Sequence, residues 1–274
     1  MVSKQWEGRT LKTFSKKLGK SVLNTAFSLV VVTLLWVLAL WIFDVSPYIG
    51  KNPLDVYNFL FTVEKAAENQ QLVLTALGQT LYDSSIGFTA GLTIATLVAV
   101  LFALSKGIEQ ALMPIAMLLR SVPLIAMTPI IILIFGRGEV TVAVMGAIVV
   151  LFPALVNIVF GLRSVSPSMG DLVEVYGANK FKQLRTVAFP SSLPAFFAAV
   201  KISVPGAITG ALLVEWLATG SGIGYGIVSA VGRAKANEVW AYVVVITVVS
   251  IVLYNLVALL EDYVLERYGF AKGK

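Results

Sequence analysis

Most side chains that carry chemistry in proteins are missing from this sequence. Its 274 residues include no cysteine and no histidine, which excludes thiol catalysis, disulfides, imidazole triads and histidine-based metal sites. No G-x-x-x-x-G-K-[ST] phosphate-binding motif is present, because the terminal "GFAKGK" has the wrong spacing. The glycine-rich "TGSGIGYG" follows no predicted strand, which argues against a dinucleotide loop. We therefore expect a chain that is not an enzyme and holds no cofactor or metal of its own.

One polar stretch stands out between long apolar runs. Residues 171–194 read "DLVEVYGANKFKQLRTVAFPSSLP" and contain two acids, Asp171 and Glu174, and three bases. Glycine readily adopts a positive φ angle, so Gly177 predicts a turn between two short helices. Asp171 is expected in the first turn of the first helix, where an acid favours the positive end of the helix dipole.

The second short helix is expected to begin near Ala178 and to be stopped by Pro190, with a further proline at Pro194. Phe181 and Leu184 are three residues apart and are therefore expected on one face of this helix. An amphipathic helix of this kind suits a groove on a soluble partner. The alternative is a solvated loop at a membrane surface.

Charged residues inside apolar segments are the other candidates for function, since a charge within a membrane costs about 3 kcal/mol or more. Arg120 lies in a segment that Pro123 and Pro129 interrupt. It either faces a cavity, where it would attract an anion, or binds carbonyl groups freed by the proline. Glu215, followed by Trp216, either lines a pathway or gate or lies near the outer interface. Pairing of Arg120 with Glu215 stays open.

Two further charges and one glycine-rich stretch complete the candidates. Lys201 and Asp83 are expected to extend toward the two membrane surfaces. The segment after Glu215 is expected to form a tight outer turn for a docking partner, or else a plain linker. The residues of this turn are Ser221, Gly222, Gly224 and Tyr225.

The composition indicates the elements that hold these residues. The chain is 58% hydrophobic and only 13% charged, about half the charged fraction of a soluble domain. A span needs roughly 20 apolar residues, and this length predicts six transmembrane helices. They are expected at residues 22–43, 80–104, 111–135, 140–160, 195–218 and 240–260, with residues 52–76 at the outer interface.

Lysine and arginine are distributed unevenly between the loops. With six spans, 14 of them lie on the side of the termini and of residues 171–194, against five on the other side. The positive-inside rule then places both termini in the cytoplasm. The predicted domains are a basic arm at residues 1–21, a transmembrane domain at 22–264 and a tail at 265–274.

Four motifs in order resemble one family. Residues 171–194 resemble the cytoplasmic E-A-A-x-x-x-G loop of bacterial ABC importer permeases, with Asp171 in place of Glu, and Leu172 and Val173 in place of the paired alanines. "TLYDSSIGF", "RSVPLIAMTPIIILIFGRG" and "EWLATGSGIGYGI" are similar to motifs of the nitrate/sulfonate/taurine-type subfamily. Together they cover roughly residues 80–226.

The resemblance implies a type I ABC importer permease fold in a bacterial inner membrane. It implies a homodimer, cytoplasmic ATPase subunits that bind ATP and magnesium, and an extracytoplasmic solute-binding protein. The residues that would couple to the ATPase are Asp171, Glu174, Gly177, Ala178, Phe181, Leu184, Pro190 and Pro194.

The subfamily suggests a small oxyanion such as nitrate, bicarbonate, a sulfonate or taurine as the substrate. The alternatives are a thiamine-precursor pyrimidine, riboflavin or an aromatic acid. A secondary transporter or channel is a remoter alternative, because no internal repeat is evident.

Overall fold

The computed structural model describes residue 23 and residues 25–270, and these form helices without any strand. The predicted basic arm at residues 1–21 lies outside the described residues. The helices are α1 (Thr25–Ile42), α2 (Pro53–Phe61), α3 (Ala66–Leu104), α4 (Lys106–Arg120), α5 (Leu124–Phe135), α6 (Glu139–Leu162), α7 (Pro167–Val175), α8 (Lys180–Gln183), α9 (Phe189–Val214), α10 (Gly222–Gly232) and α11 (Ala236–Arg267). Two π-helical turns, Leu184–Ala188 and Glu215–Thr219, flank α9.

The number of membrane spans agrees with the sequence prediction. Within the described residues, five helical segments are long and apolar enough to cross a membrane, and α4 with α5 forms a broken pair bent by 102° that can serve as a sixth span. The break lies at Val122 and Pro123, because a residue that precedes proline is disfavoured in helical conformation. The all-α membrane fold expected from the sequence is therefore confirmed.

The second span is longer than predicted. α3 contains 39 residues and is about 58 Å long at 1.5 Å per residue, whereas a hydrocarbon core is about 30 Å thick. It begins at Ala66, whereas the second span was expected to begin at residue 80, so residues 66–76 belong to the same helix as the span. Within residues 52–76, only α2 is a separate short helix, and its start is fixed by reciprocal hydrogen bonds between Asn52 and Asp55.

Glycine allows α3, α6 and α9 to pack closely at the centre of the bundle. A Cβ atom on Gly87 of α3 would lie 2.7 Å from the Cα atom of Gly146 on α6, and one on Gly91 would lie 2.7 Å from Val150. Gly210 of α9 approaches Gly146 in the same way, at 3.2 Å. Small residues at such contacts are typical of closely packed membrane helices.

The bundle has two distinct ends. The hairpin end carries α7, α8 and the adjoining π turn. The end of α11 lies there too, since Leu265 packs against Leu193 and Phe197 near the start of α9. The opposite end carries α2 and α10. There, Trp240 of α11 stacks on Trp36 of α1 with ring centroids 5.0 Å apart and donates a hydrogen bond to the Ile49 carbonyl.

Candidate functional site

The hairpin is formed by residues 167–188. α7 ends at Val175, Gly177 turns the chain with a φ of +75°, and the Asn179 side chain caps α8 by accepting a hydrogen bond from the Lys182 N–H at 2.9 Å. The turn predicted at Gly177 is confirmed. Asp171 is the fifth residue of α7, because the helix already begins at Pro167. Its predicted place in the first turn is therefore wrong.

The second half of the hairpin continues into a membrane span. Pro190 was expected to stop the helix, but α8 passes through the π turn into α9, so that Lys180–Thr219 is one helical segment of 40 residues. In the π turn the Phe189 N–H reaches back five residues to the Leu184 carbonyl. Pro190 follows directly after this π turn and Pro194 lies within α9, and neither proline ends the helical segment.

The apolar side chains of the hairpin divide between core and surface. Leu184 is 9% exposed and packs in the core with residues of α3 and α6, whereas Phe181 is 61% exposed. Leu184 therefore belongs to the core and Phe181 to the surface, although only three positions separate them. Leu172, Val175 and Tyr176 are also exposed, and with Phe181 they give the hairpin a cluster of exposed apolar side chains.

An ion pair supports the bundle behind the hairpin. The Arg163 guanidinium at the end of α6 donates a hydrogen bond to the buried carboxylate of Glu109 on α4. A cavity of about 420 Å³ lies between this pair and the hairpin, and the exposed acids Asp171 and Glu174 lie at its lining. The hairpin is thus anchored mainly through Leu184 and the π turn, with open space beneath α7.

At the opposite end, Glu215 holds the start of α10. It is fully buried, and its Oε2 atom accepts hydrogen bonds from the Thr80 hydroxyl at 2.9 Å and from the Gly224 N–H at 2.7 Å. Thr80 in turn accepts a hydrogen bond from the Ile223 N–H at 2.9 Å. These N–H groups are the unpaired donors of a helix N-terminus. Thr80 and Glu215 therefore cap α10 from two other helices, and we call this arrangement the Glu215 clamp.

Two glycines make the clamp sterically feasible. A Cβ atom on Gly222, whose φ is +83°, would lie 2.2 Å from the Glu215 carboxyl carbon. A Cβ atom on Gly224 would lie 2.2 Å from the Leu212 carbonyl oxygen. The sequence predicted a tight turn here, and the structure shows a turn that leads into a helix. Ser221 precedes α10 without a side-chain capping bond, and Tyr225 is partly exposed.

The broken span carries the other predicted pathway residues. Arg120 ends α4, and its side chain is exposed, as are Pro123 and Pro129. Among the described residues Glu215 forms no ion pair with Arg120; its partners are those of the clamp. Trp216, next to Glu215, is half exposed. A pathway or gate role for these five residues stays a prediction.

The structure adds polar residues that the sequence did not assign. Thr80 is central to the clamp, and the only sequence signal was its place at the start of "TLYDSSIGF". Asp83 is 2% exposed and does not reach a surface as predicted. Lys201 forms a 2.5 Å ion pair with Glu261 of α11, and this pairing between two helices could not be found from sequence spacing.

Comparison with known proteins places the chain among transport proteins of one family. Residues 87–269 match the family model described as binding-protein-dependent transport system inner membrane component. An ABC transporter permease protein of Haemophilus influenzae is 26% identical over 87% of this chain and 93% of its own length. A protein of Bacillus subtilis named for aliphatic sulfonates transport is 30% identical over 70% of each chain.

Other relatives are named for formylaminopyrimidine, riboflavin, nitrate and bicarbonate transport. Among solved structures, an amino acid ABC transporter crystallised with histidines matches with a TM-score of 0.50 and 16% identity. The match covers 76% of this chain and all of that one, and at this identity it supports the fold alone.

Proposed function

Because the chain belongs to the family of binding-protein-dependent transport system inner membrane components, we propose that two copies of it form the pathway of an ATP-driven importer. The chain is a non-catalytic permease subunit of the inner membrane. Its ATPase partner would bind ATP and magnesium, since the sequence has no phosphate-binding loop. We further propose that the hairpin end faces the cytoplasm, which the excess of lysine and arginine on that side supports.

The observation that carries this proposal is the exposure of the hairpin. Phe181 and Val175 present large apolar side chains to solvent at an end of the bundle where charged residues are frequent. Exposed apolar clusters of this kind usually mark a protein contact, and a helix that fits a groove is a common mode of recognition. The soluble ATPase subunit is the partner that this family requires.

The continuous segment Lys180–Thr219 supplies a mechanical link for the proposed cycle. At 1.5 Å per residue its 40 residues span about 60 Å, from the exposed hairpin at one end to Glu215 at the other. Closure of the ATPase dimer would displace α8, and the segment would carry that displacement to the Glu215 clamp. We propose that this movement switches the pathway between outward and inward access.

For the substrate we propose a small oxyanion, such as a sulfonate, taurine, nitrate or bicarbonate. Relatives named for sulfonates, nitrate and bicarbonate support this class. The exposed Arg120 at the break between α4 and α5 would give an anion a cationic contact in the proposed dimer. Relatives named for riboflavin and formylaminopyrimidine support the alternative of a larger aromatic solute.

Co-purification tests the assembly. Two differently tagged copies of the chain, expressed with their ATPase and binding protein, should purify together in detergent with the ATPase bound. Recovery of the two tags only in separate fractions would contradict the homodimer. Ligand binding by the isolated binding protein, measured with sulfonate, nitrate, bicarbonate and riboflavin, would then assign the substrate class.

A further inference from the structure

Two carboxyl oxygens inside the bundle have no hydrogen-bond partner. Asp83 is 2% exposed and Glu215 is fully buried. The Gln79 amide donates to Oδ1 of Asp83 at 3.0 Å, while Thr80 and Gly224 donate to Oε2 of Glu215. This leaves Oδ2 of Asp83 and Oε1 of Glu215 unpaired. Asp83 lies one helical turn after Thr80 on α3 and therefore on the same face as the residue that bonds Glu215. The two carboxyl groups are thus neighbours, and their unpaired oxygens belong to one site.

The surroundings of this site oppose two negative charges. Among the described residues neither carboxyl forms an ion pair with lysine or arginine. The other ionisable groups nearby are Tyr82 of α3 and Glu139 of α6, neither of which is cationic. Two like charges in contact inside a low-dielectric interior repel strongly. One ionised carboxyl together with one protonated carboxyl avoids this cost.

We propose that Asp83 and Glu215 bind one proton between their two unpaired oxygens, and that this proton keeps the Glu215 clamp closed on α10. A carboxyl O–H that donates to the neighbouring carboxylate gives both unpaired oxygens a partner at once. Such a bond, with one charged member, is stronger than one between neutral groups. The pair keeps a single negative charge, which faces the N-terminus of α10, where a negative charge is stabilised.

The shared proton gives α10 a defined response to its removal. Without the proton, the two carboxylates repel each other. Glu215 is also packed against Gly222 on the α10 side, so this repulsion acts on the hydrogen bonds that the clamp makes to the start of α10. Loss of the proton is therefore expected to weaken the clamp. This proton site goes beyond the proposed transport function, in which ATP supplies the energy.

Infrared spectroscopy of the complete permease in lipid nanodiscs tests the shared proton. The unmodified protein near neutral pH should show a carbonyl stretch of a protonated carboxylic acid. Asp83→Asn and Glu215→Gln keep side-chain size and should each abolish that band. Glu139→Gln is the matched control and should leave the band in place.

Isotope labelling gives a second readout that does not depend on how the variants fold. Carbon-13 in aspartate carboxyl groups, and separately in glutamate carboxyl groups, should shift the band of the unmodified protein in at least one of the two samples, which identifies the carboxyl that carries the proton. Absence of the band would overturn the proposal. So would a band that either of the two substitutions leaves in place, because the proton would then not depend on both carboxyl groups.

Discussion

The hydroxyl of Thr80 lies 2.9 Å from a carboxylate oxygen of Glu215, although 135 positions of sequence separate the two residues. This contact joins α3 to the end of the segment that begins at the hairpin. Through it, two backbone N–H groups of α10 are satisfied by side chains of other helices. Glu215, which the sequence analysis gave as a pathway candidate, thus caps the start of α10.

Thr80→Val should destabilise the permease. Valine has nearly the same shape but no hydroxyl, so the Ile223 N–H loses its acceptor, at a cost of about 1–3 kcal/mol. Thr96→Val is the matched control, because the Thr96 hydroxyl bonds only to the Leu92 carbonyl of its own helix. Thermal unfolding in detergent should show a clear drop in Tm for Thr80→Val and little change for Thr96→Val. Equal changes would contradict the clamp.

Gly222→Ala should also lower stability. The added methyl group would meet the Glu215 carboxyl group at 2.2 Å in a conformation with φ of +83°, and overpacking of this kind costs about 1–3 kcal/mol. Gly232→Ala, at the end of the same helix, meets nothing within 4 Å and should be neutral or slightly stabilising. The Tm of both variants tests this prediction. A Gly222→Ala protein as stable as Gly232→Ala would contradict the close contact between Gly222 and the Glu215 carboxyl group.

The ion pair between Lys201 and Glu261 should show strong energetic coupling. Both side chains are largely buried, at 21% and 10% exposure, and removal of one partner from a buried pair costs about 3–5 kcal/mol. Lys201→Met and Glu261→Met should each lower Tm, and the double variant should recover part of the loss. Additive losses in this double-mutant cycle would show that the two residues are not coupled.

Gly177→Ala and Gly170→Ala should shift stability in opposite directions. Gly177 has a φ of +75°, where a Cβ atom costs roughly 1–2 kcal/mol. Gly170 lies inside α7 with nothing within 4 Å, so alanine there should favour the helix by up to about 1 kcal/mol. Protease sensitivity of the hairpin measures both effects: it should rise for Gly177→Ala and fall for Gly170→Ala. The same change in protease sensitivity from both variants would contradict the positive-φ turn at Gly177.

The sequence predicted the elements better than the contacts between them. Hydropathy located the spans because burial in lipid requires long apolar helices, and Gly177 marked a turn that few other residues can form. Pro190 misled the prediction, since the effect of a proline depends on whether its missing N–H is needed. The π turn before Pro190 contains a hydrogen bond from the Phe189 N–H to the Leu184 carbonyl. This turn determines whether the helix needs an N–H at Pro190, and it has no clear sequence signal.

Long-range polar partners were beyond sequence reasoning for a different reason. Asp83 and Lys201 were expected to reach the membrane surfaces, because an isolated charge is costly inside. Gln79 lies only four residues before Asp83 on α3, so this partner is local and could have been read from the sequence. Lys201 instead pairs with Glu261 of α11, and such a pairing depends on how the helices rotate against each other, which a single sequence does not show.

The most direct test of the central claim is ATP hydrolysis by the reconstituted importer with Phe181→Glu. Phe181 is 61% exposed on the hairpin, so the change should leave insertion and folding intact while it places a charge in the proposed apolar contact. We expect hydrolysis stimulated by the loaded binding protein to fall about tenfold or more, as for an interface hot spot, and Phe181→Leu to retain it. Stimulated hydrolysis at the unmodified level in Phe181→Glu would contradict the claim that the hairpin couples the ATPase to the permease.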